Sequence, residues 1–471
     1  MNAPHKIIVS QEPLQSARQK KYAWPHRTLQ SADSEIHKLE NLDMNTRNET
    51  EASISPAKSM QQDQIGHYQE RVCCVCGESE GALLFDQPIE SIIGIGNIGY
   101  HHLINGCTKC GFTYANPILK EEYILQYYAN MSNYEHPEAN GIRPPSHFAQ
   151  IARQIEVIKS RFDGSFVGNA LDIGCSIPLG LSMLQQEGWK VLGIDPSDTC
   201  IAIAKEKLNV EVLKGFFSAD LLTEGQPYDV IMLSHVLEHL VNPDQILREM
   251  SNLLSEGGLV YIEVPDHMNI NGVKTYFDFE HINYFTSVSL TNLVQQNGFE
   301  VDSLRNYENS REIHPNYPVI SCTIRKRKSK DRTQSVAKIV NDFEETTRVI
   351  QQYESSSKEL MTRIENNLEK IVRETSSGKL ALWGAGIHTC QLLSQTCLRF
   401  TPIKCIFDND PKRAGNNIDR IPVKLWYGDA VNDIEAILIS SEASEDQIYE
   451  QLKPLEAQGI KIYRIYANLW R

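Results

Sequence analysis

The sequence predicts an α/β protein built on a doubly wound sheet, preceded by a small metal-binding domain and followed by a second, smaller α/β domain. Three observations predict it. Apolar strands alternate with helical stretches over about 145–305, two C-x-x-C-G knuckles stand ahead of them, and a second strand-helix series opens at Lys379. Such alternation builds a parallel sheet covered by helices on both faces. At 471 residues, the chain has room for about three domains of roughly 150 residues.

Taken in order, residues 1–70 are rich in Gln, Ser, Asn and Glu and lack apolar periodicity, so burial could not offset their ordering entropy. They read as a flexible extension, and no signal-peptide core opens it. Apolar residues at 41% and charged residues at 23% are those of a soluble globular protein. No apolar run approaches the roughly 18 residues of a membrane span, so no membrane partner is expected. The net charge of −14 argues against a chain built to hold nucleic acid. The basic stretch Arg325-Lys-Arg-Lys-Ser-Lys-Asp-Arg332 reads as a solvated linker.

Residues 71–118 form the metal-binding segment. Of 11 cysteines, Cys73, Cys74, Cys76, Cys107 and Cys110 stand in two tight groups, and the rest are scattered without a pairing framework. This is the usage of a reducing cytosol, and a cytoplasmic location is expected. Cys73-Cys-Val-Cys76-Gly and Cys107-Thr-Lys-Cys110-Gly can each offer two thiolates to one ion. Four thiolates suit tetrahedral zinc and leave no open position, so the ion is expected to be structural. Cys74 is left out of that set; His101 and His102 could substitute as ligands but are not needed.

Residues 119–330 carry the main sheet. The strand Ala170-Leu-Asp-Ile ends in Gly174-Cys-Ser-Ile-Pro-Leu-Gly180 and then a helix, a turn that lets backbone NH groups approach a ligand closely. Val191-Leu-Gly-Ile-Asp195 follows, with a carboxylate placed to accept hydrogen bonds from ribose hydroxyls. Asp172 and Asp195 are 23 residues apart, which fits one βαβ crossover. Two later phrases complete the pattern: Tyr228-Asp-Val-Ile-Met-Leu-Ser-His-Val-Leu-Glu-His-Leu240 and Leu254-Ser-Glu-Gly-Gly-Leu-Val-Tyr-Ile-Glu-Val-Pro265.

This whole stretch resembles class I methyltransferases, whose fourth strand ends in a similar His-Val-Leu-Glu-His phrase. The resemblance implies S-adenosylmethionine as cofactor, held by Asp172, Gly174, Ser176, Asp195 and His235, with Asp172 reaching the methionine amino group directly or through water. Phe216 and Phe217 are placed either to pack on adenine or to fill the core. His235 and His239, four apart, read as sharing one helical face and either join the site or satisfy backbone carbonyls. Glu263 reads as a pocket wall or a helix-cap partner.

Downstream, Asp278-Phe-Glu280-His281-Ile-Asn-Tyr284-Phe puts a carboxylate beside an imidazole, a plausible proton-transfer pair. Residues 331–375 form a bridging helix with an approximate apolar stripe from Val336 to Ile371. Residues 376–471, with Lys379-Leu-Ala-Leu-Trp-Gly-Ala-Gly386, Ile403-Lys-Cys-Ile-Phe-Asp408 and Ala436-Ile-Leu-Ile-Ser440, form a second Rossmann-like domain. Together the knuckles, the class I core, the Glu-His-x-x-Tyr-Phe phrase and this last domain resemble the sugar C-methyltransferases of deoxysugar pathways.

That resemblance implies a small-molecule acceptor, a 4-keto sugar nucleotide. His281 would act as base or relay, Glu280 would orient it, and His239 falls at a further active-site histidine. Asp278 stands where that family has a tyrosine. Two alternatives remain: an O-methyltransferase acting on a glycan or sugar nucleotide, and a zinc-ribbon rRNA methyltransferase, against which the acidic charge counts.

Overall fold

Period-two alternation shapes the region between the knuckles. After β1 (Tyr68–Gln69) come β2 (Ala82–Ile92) and β3 (Gly96–Gly106), paired as one long antiparallel hairpin. In β3 the buried residues are Ile98, Tyr100, His102 and Ile104, every second position. Strand β4 (Thr113–Ala115) extends this sheet, and β5 (Ile118–Leu119) returns antiparallel to β1. Helices α1 (Glu121–Asn130) and α2 (Pro145–Lys159) follow. The computed structural model describes residues 66–130, 145–222, 227–270, 273, 276–309, 317–328, 337–428, 431–441 and 444–467, all within the unit Met60–Arg471. Nearly all of the 1–70 extension and the end of the basic stretch lie outside the described residues.

The main sheet is built from β6 (Asn169–Ile173), α3 (Leu179–Gln186), β7 (Lys190–Asp195), α4 (Asp198–Ile203), β8 (Val212–Lys214), β9 (Tyr228–Ser234), α5 (Pro243–Leu253) and β10 (Leu254–Pro265). A short β11 (Asn283–Tyr284) and α6 (Ser287–Gln296) precede the closing hairpin β12 (Phe299–Asn309) and β13 (Tyr317–Lys326). The strand order is β8-β7-β6-β9-β10-β13-β12. The first five run parallel, while β13 runs antiparallel to both neighbours. Chain order reverses between β6 and β9, so the carboxyl ends of those strands open a crevice, the place where such sheets bind ligands.

Strand β11 is not part of that sheet. It pairs antiparallel with β4, Asn283 opposite Tyr114, completing the four-stranded order β11-β4-β3-β2. A strand from the middle of the chain thus closes the edge of the cysteine module.

Helix α7 (Phe343–Glu374) begins later than its expected stripe: Val336 is outside the described residues and Val340 is exposed. Its first half buries Ile350 and Tyr353 beside Phe85, Phe277 and Tyr284. Its second half buries Ile364, Leu368 and Ile371 against the last domain. That domain comprises β14 (Leu380–Trp383), α8 (Ile387–Gln395), β15 (Ile403–Asp408), β16 (Asn417–Ile418), β17 (Ile421–Leu425), β18 (Ala436–Ile439), α9 (Glu445–Leu452) and β19 (Lys461–Arg464). Its order, β16-β17-β15-β14-β18-β19, is parallel except at β16, a second doubly wound sheet. Ile89, Ile92 and Tyr100 of the cysteine module share one core with Leu382, Leu392 and Leu438. Each such buried side chain contributes about 1.5–3 kcal/mol.

Candidate functional site

At the crevice the turn after β6 is shaped by two left-handed residues, Gly174 at φ 67° and Ser176 at φ 48°. A Cβ at Gly174 would approach Val236 Cγ2 to 2.6 Å, so only glycine fits. Ser176 holds the same conformation at a cost of about 1–2 kcal/mol. Its NH donates to Asp195 Oδ2 at 2.7 Å, and the Ser197 NH donates to Oδ1 at 2.9 Å. Asp195 therefore ties the turn to the start of α4. A carboxylate oxygen can accept more than one hydrogen bond, so this duty is compatible with holding ribose hydroxyls.

Asp172 lies beneath the turn. Burial pushes its carboxyl up to about 8, and the Asp195 charge adds to the push. A cationic ligand group alongside would favour its charged form. Phe217 packs into the core, whereas Phe216 is half-exposed just beyond β8.

His235 and His239 do not share a helical face, contrary to the sequence reading. His235 follows β9 at φ 57°, and only one 3-10 turn, Leu237–His239, comes after it. The His235 Nδ1 lies 3.1 Å from Glu238 Oε1. Glu263 is likewise more than a wall or a cap. It is fully buried and accepts from Arg153 at 2.7 Å, Tyr261 at 2.7 Å, Gln154 at 2.9 Å, Gln150 at 3.0 Å and Asn309 at 3.1 Å. Burial alone would raise its carboxyl, but the His235 imidazole and the Arg153 guanidinium hold it below the usual carboxylate range.

Glu238, His239, Glu280 and His281 come together at the 3-10 turn that follows β9. The His239 and His281 rings lie edge to face with centroids 4.8 Å apart. His239 Nδ1 meets the Glu280 carbonyl at 2.8 Å and the Tyr128 hydroxyl at 2.9 Å. Burial pushes the His239 imidazole down, and the Glu238 charge only partly opposes it. The Tyr127 hydroxyl donates to Glu280 Oε1 at 2.8 Å, and Asp278 Oδ1 accepts the NH groups of Glu280 and His281 at 2.9 and 3.1 Å. Asp278 thus fixes the turn that presents the pair.

The sulfurs of Cys73, Cys76, Cys107 and Cys110 all lie within 4.8 Å of one another, with Cys73–Cys110 and Cys76–Cys107 at 3.5 Å. Each knuckle closes through a left-handed glycine, Gly77 at φ 74° and Gly111 at φ 81°. Tetrahedral zinc, with bonds of about 2.3 Å, spaces thiolates at roughly this separation. His101 pairs with Asp86 at 2.9 Å. His102 meets Tyr100 and Tyr284 at 2.7 Å and the His281 carbonyl at 3.1 Å. Neither histidine joins the cysteines, because the alternation of β3 turns one to solvent and the other into the core.

The residues that join module and crevice escaped the sequence reading. Asn283, buried within Ile-Asn-Tyr-Phe, donates to the Leu237 and Leu240 carbonyls at 3.0 and 2.7 Å and accepts from Arg71 at 2.7 Å. The Ala115 NH donates to the Ile282 carbonyl at 3.0 Å. A polar residue inside an apolar run was the available signal. Among the described residues no helix is long and apolar enough to cross a membrane.

Residues 147–304 match the family model described as a methyltransferase domain. A ubiquinone biosynthesis O-methyltransferase from Glaesserella parasuis is 29% identical over 127 residues, 25% of this chain and 53% of that one. The C-methyltransferase NovU from Streptomyces niveus is 27% identical over 146 residues, 30% of this chain and 34% of that one. The chain thus spans about half the length of the first of these and a third of the second. The solved structure of 1,6-didemethyltoxoflavin-N1-methyltransferase from Burkholderia thailandensis, with bound S-adenosylhomocysteine, is 14% identical with a TM-score of 0.31, covering 38% of this chain and 79% of that one. Residues 147–304 therefore form a methyltransferase domain built on a doubly wound, mostly parallel sheet.

Proposed function

We propose that this protein methylates carbon on a keto sugar nucleotide. The observation that carries the reading is the Glu280–His281 pair, set beside His239 on the turn that follows β9. Carbon becomes a nucleophile only as an enolate, and a histidine-centred pair suits proton removal near pH 7. The pair takes the proton from the carbon beside the ketone, and the C–H electrons become the enolate. That carbon then attacks the sulfonium methyl, the S–CH3 bond breaks, and S-adenosylhomocysteine leaves. The likeness to a C-methyltransferase supports this reading.

Cys73, Cys76, Cys107 and Cys110 would hold zinc as a structural ion. It would stiffen the module whose β4 carries β11 and, through it, Glu280 and His281. The likeness to ubiquinone O-methyltransferases favours a second reading, in which the same pair deprotonates a hydroxyl.

Deuterium exchange separates the two. Incubated in D2O with keto sugar nucleotides, the protein should exchange the proton on the carbon beside the ketone, and mass spectrometry should find a new carbon-bound methyl group that His281→Ala does not make. Methyl groups found only on oxygen, without exchange, overturn the carbon reading.

A further inference from the structure

Among the described residues, a second group of donors besides the cysteines is close enough to share one ion. One ligand atom each from Glu238, His239 and His281 lies within 4.8 Å of the other two. We propose that these three side chains form a site for a divalent transition-metal cation, distinct from the cysteine cluster, at the acceptor end of the crevice.

Three features support it. Two imidazoles and one carboxylate are the three-ligand set of open metal sites, which keep further positions for water or substrate. Glu238 is 1% exposed; its Oε1 meets His235, but its Oε2 is buried with no hydrogen-bond partner. A buried carboxylate oxygen left in that state is destabilising, and a cation would relieve it. His239 is already set as a ligand. Its Nδ1 sits 2.8 Å from the Glu280 carbonyl, which can only accept, so Nδ1 carries the proton, and Nε2 lies 4.0 Å from Glu238 Oε1, the oxygen that also meets His235. Holding the second ring nitrogen on a carbonyl in this way is the usual outer support of a metal-bound histidine.

The donors also come from two elements held in fixed relation. Glu238 and His239 lie on the turn after β9, and His281 lies on the segment leading into β11. Asn283 bridges the two through the Leu237 and Leu240 carbonyls. The site stands on this geometry alone. Its use on an acceptor, polarising a carbonyl or gripping two neighbouring oxygens, rests on the methyltransferase reading above. There His281 would serve the ion, and Glu280 would be left as the group that takes the proton.

The test is cobalt(II) added to the full-length protein with zinc in its cysteine cluster. Wild type should take up one equivalent with the weak visible absorption of a nitrogen–oxygen site. His281→Ala and Glu238→Gln should each weaken uptake about tenfold or more, while their circular dichroism spectra match that of wild type. Uptake that is absent in wild type, or equal in wild type and both variants, overturns the cation site. Because the readout is metal uptake, that failure is distinct from a failure of carbon methylation, which deuterium exchange and product mass report.

Discussion

Replacing Asn283 with alanine should uncouple the acceptor end of the crevice from the cysteine module. The side chain makes three hydrogen bonds, to the Leu237 and Leu240 carbonyls and from Arg71, and is 1% exposed. Alanine leaves two carbonyls without these donors and removes an acceptor from a guanidinium. At about 1 kcal/mol for each neutral bond and about 1.5–3 kcal/mol for the charged one, the loss comes to about 4 kcal/mol. It falls where Glu238 and His239 are held against Glu280 and His281. Urea denaturation should show the midpoint lowered with the slope unchanged. Methyl transfer should fall at least tenfold, with S-adenosylmethionine affinity kept. A stability loss under about 1 kcal/mol together with normal turnover would refute the claim that Asn283 joins the two regions.

Asp195→Ala removes the acceptor for both the Ser176 and Ser197 NH groups. Losing about 2 kcal/mol of charged hydrogen bonding weakens S-adenosylmethionine binding about thirtyfold, measurable by calorimetry. Cys107→Ser should lose bound zinc and methyl transfer together; full zinc retention by metal analysis would count against the four-sulfur site. Asp172, pushed from its ordinary 3.8 up to about 8, stays protonated in the empty folded protein where the unfolded chain has released the proton. Its contribution to stability therefore falls as pH rises from 3.8 toward about 8. Thermal melts should show Asp172→Asn with a flatter decline over that window. Cofactor binding, which supplies a cationic amino group, should protect wild type more at its upper end.

The main sheet was legible because β6, β7, β9 and β10 are continuous apolar runs, the mark of strands buried on both faces. Strand β8 is too short to show a period, and β12 has one face to solvent, so neither stood out. At the crevice, Asp172, Gly174, Asp195 and the cysteines announce themselves by type and spacing. Asn283, Arg71, His102 and Tyr127 do not, because each acts through a partner far away in sequence, and no local pattern encodes that distance. The helical face expected for His235 and His239 failed for a different reason: the left-handed His235 interrupts the run after one residue.

The pairing of β4 with β11 has a consequence for how the chain is made. Arg71 and its partner Asn283 are 212 residues apart. At roughly 5–20 residues per second, about 10–40 s of translation separate them. During that interval the knuckle module leaves the ribosome with the edge of β4 open and the apolar faces of β2 and β3 still waiting for α8. A metal ion captured early would hold the module together through that wait, so zinc supply during growth should govern how much protein survives synthesis, before any question of turnover arises.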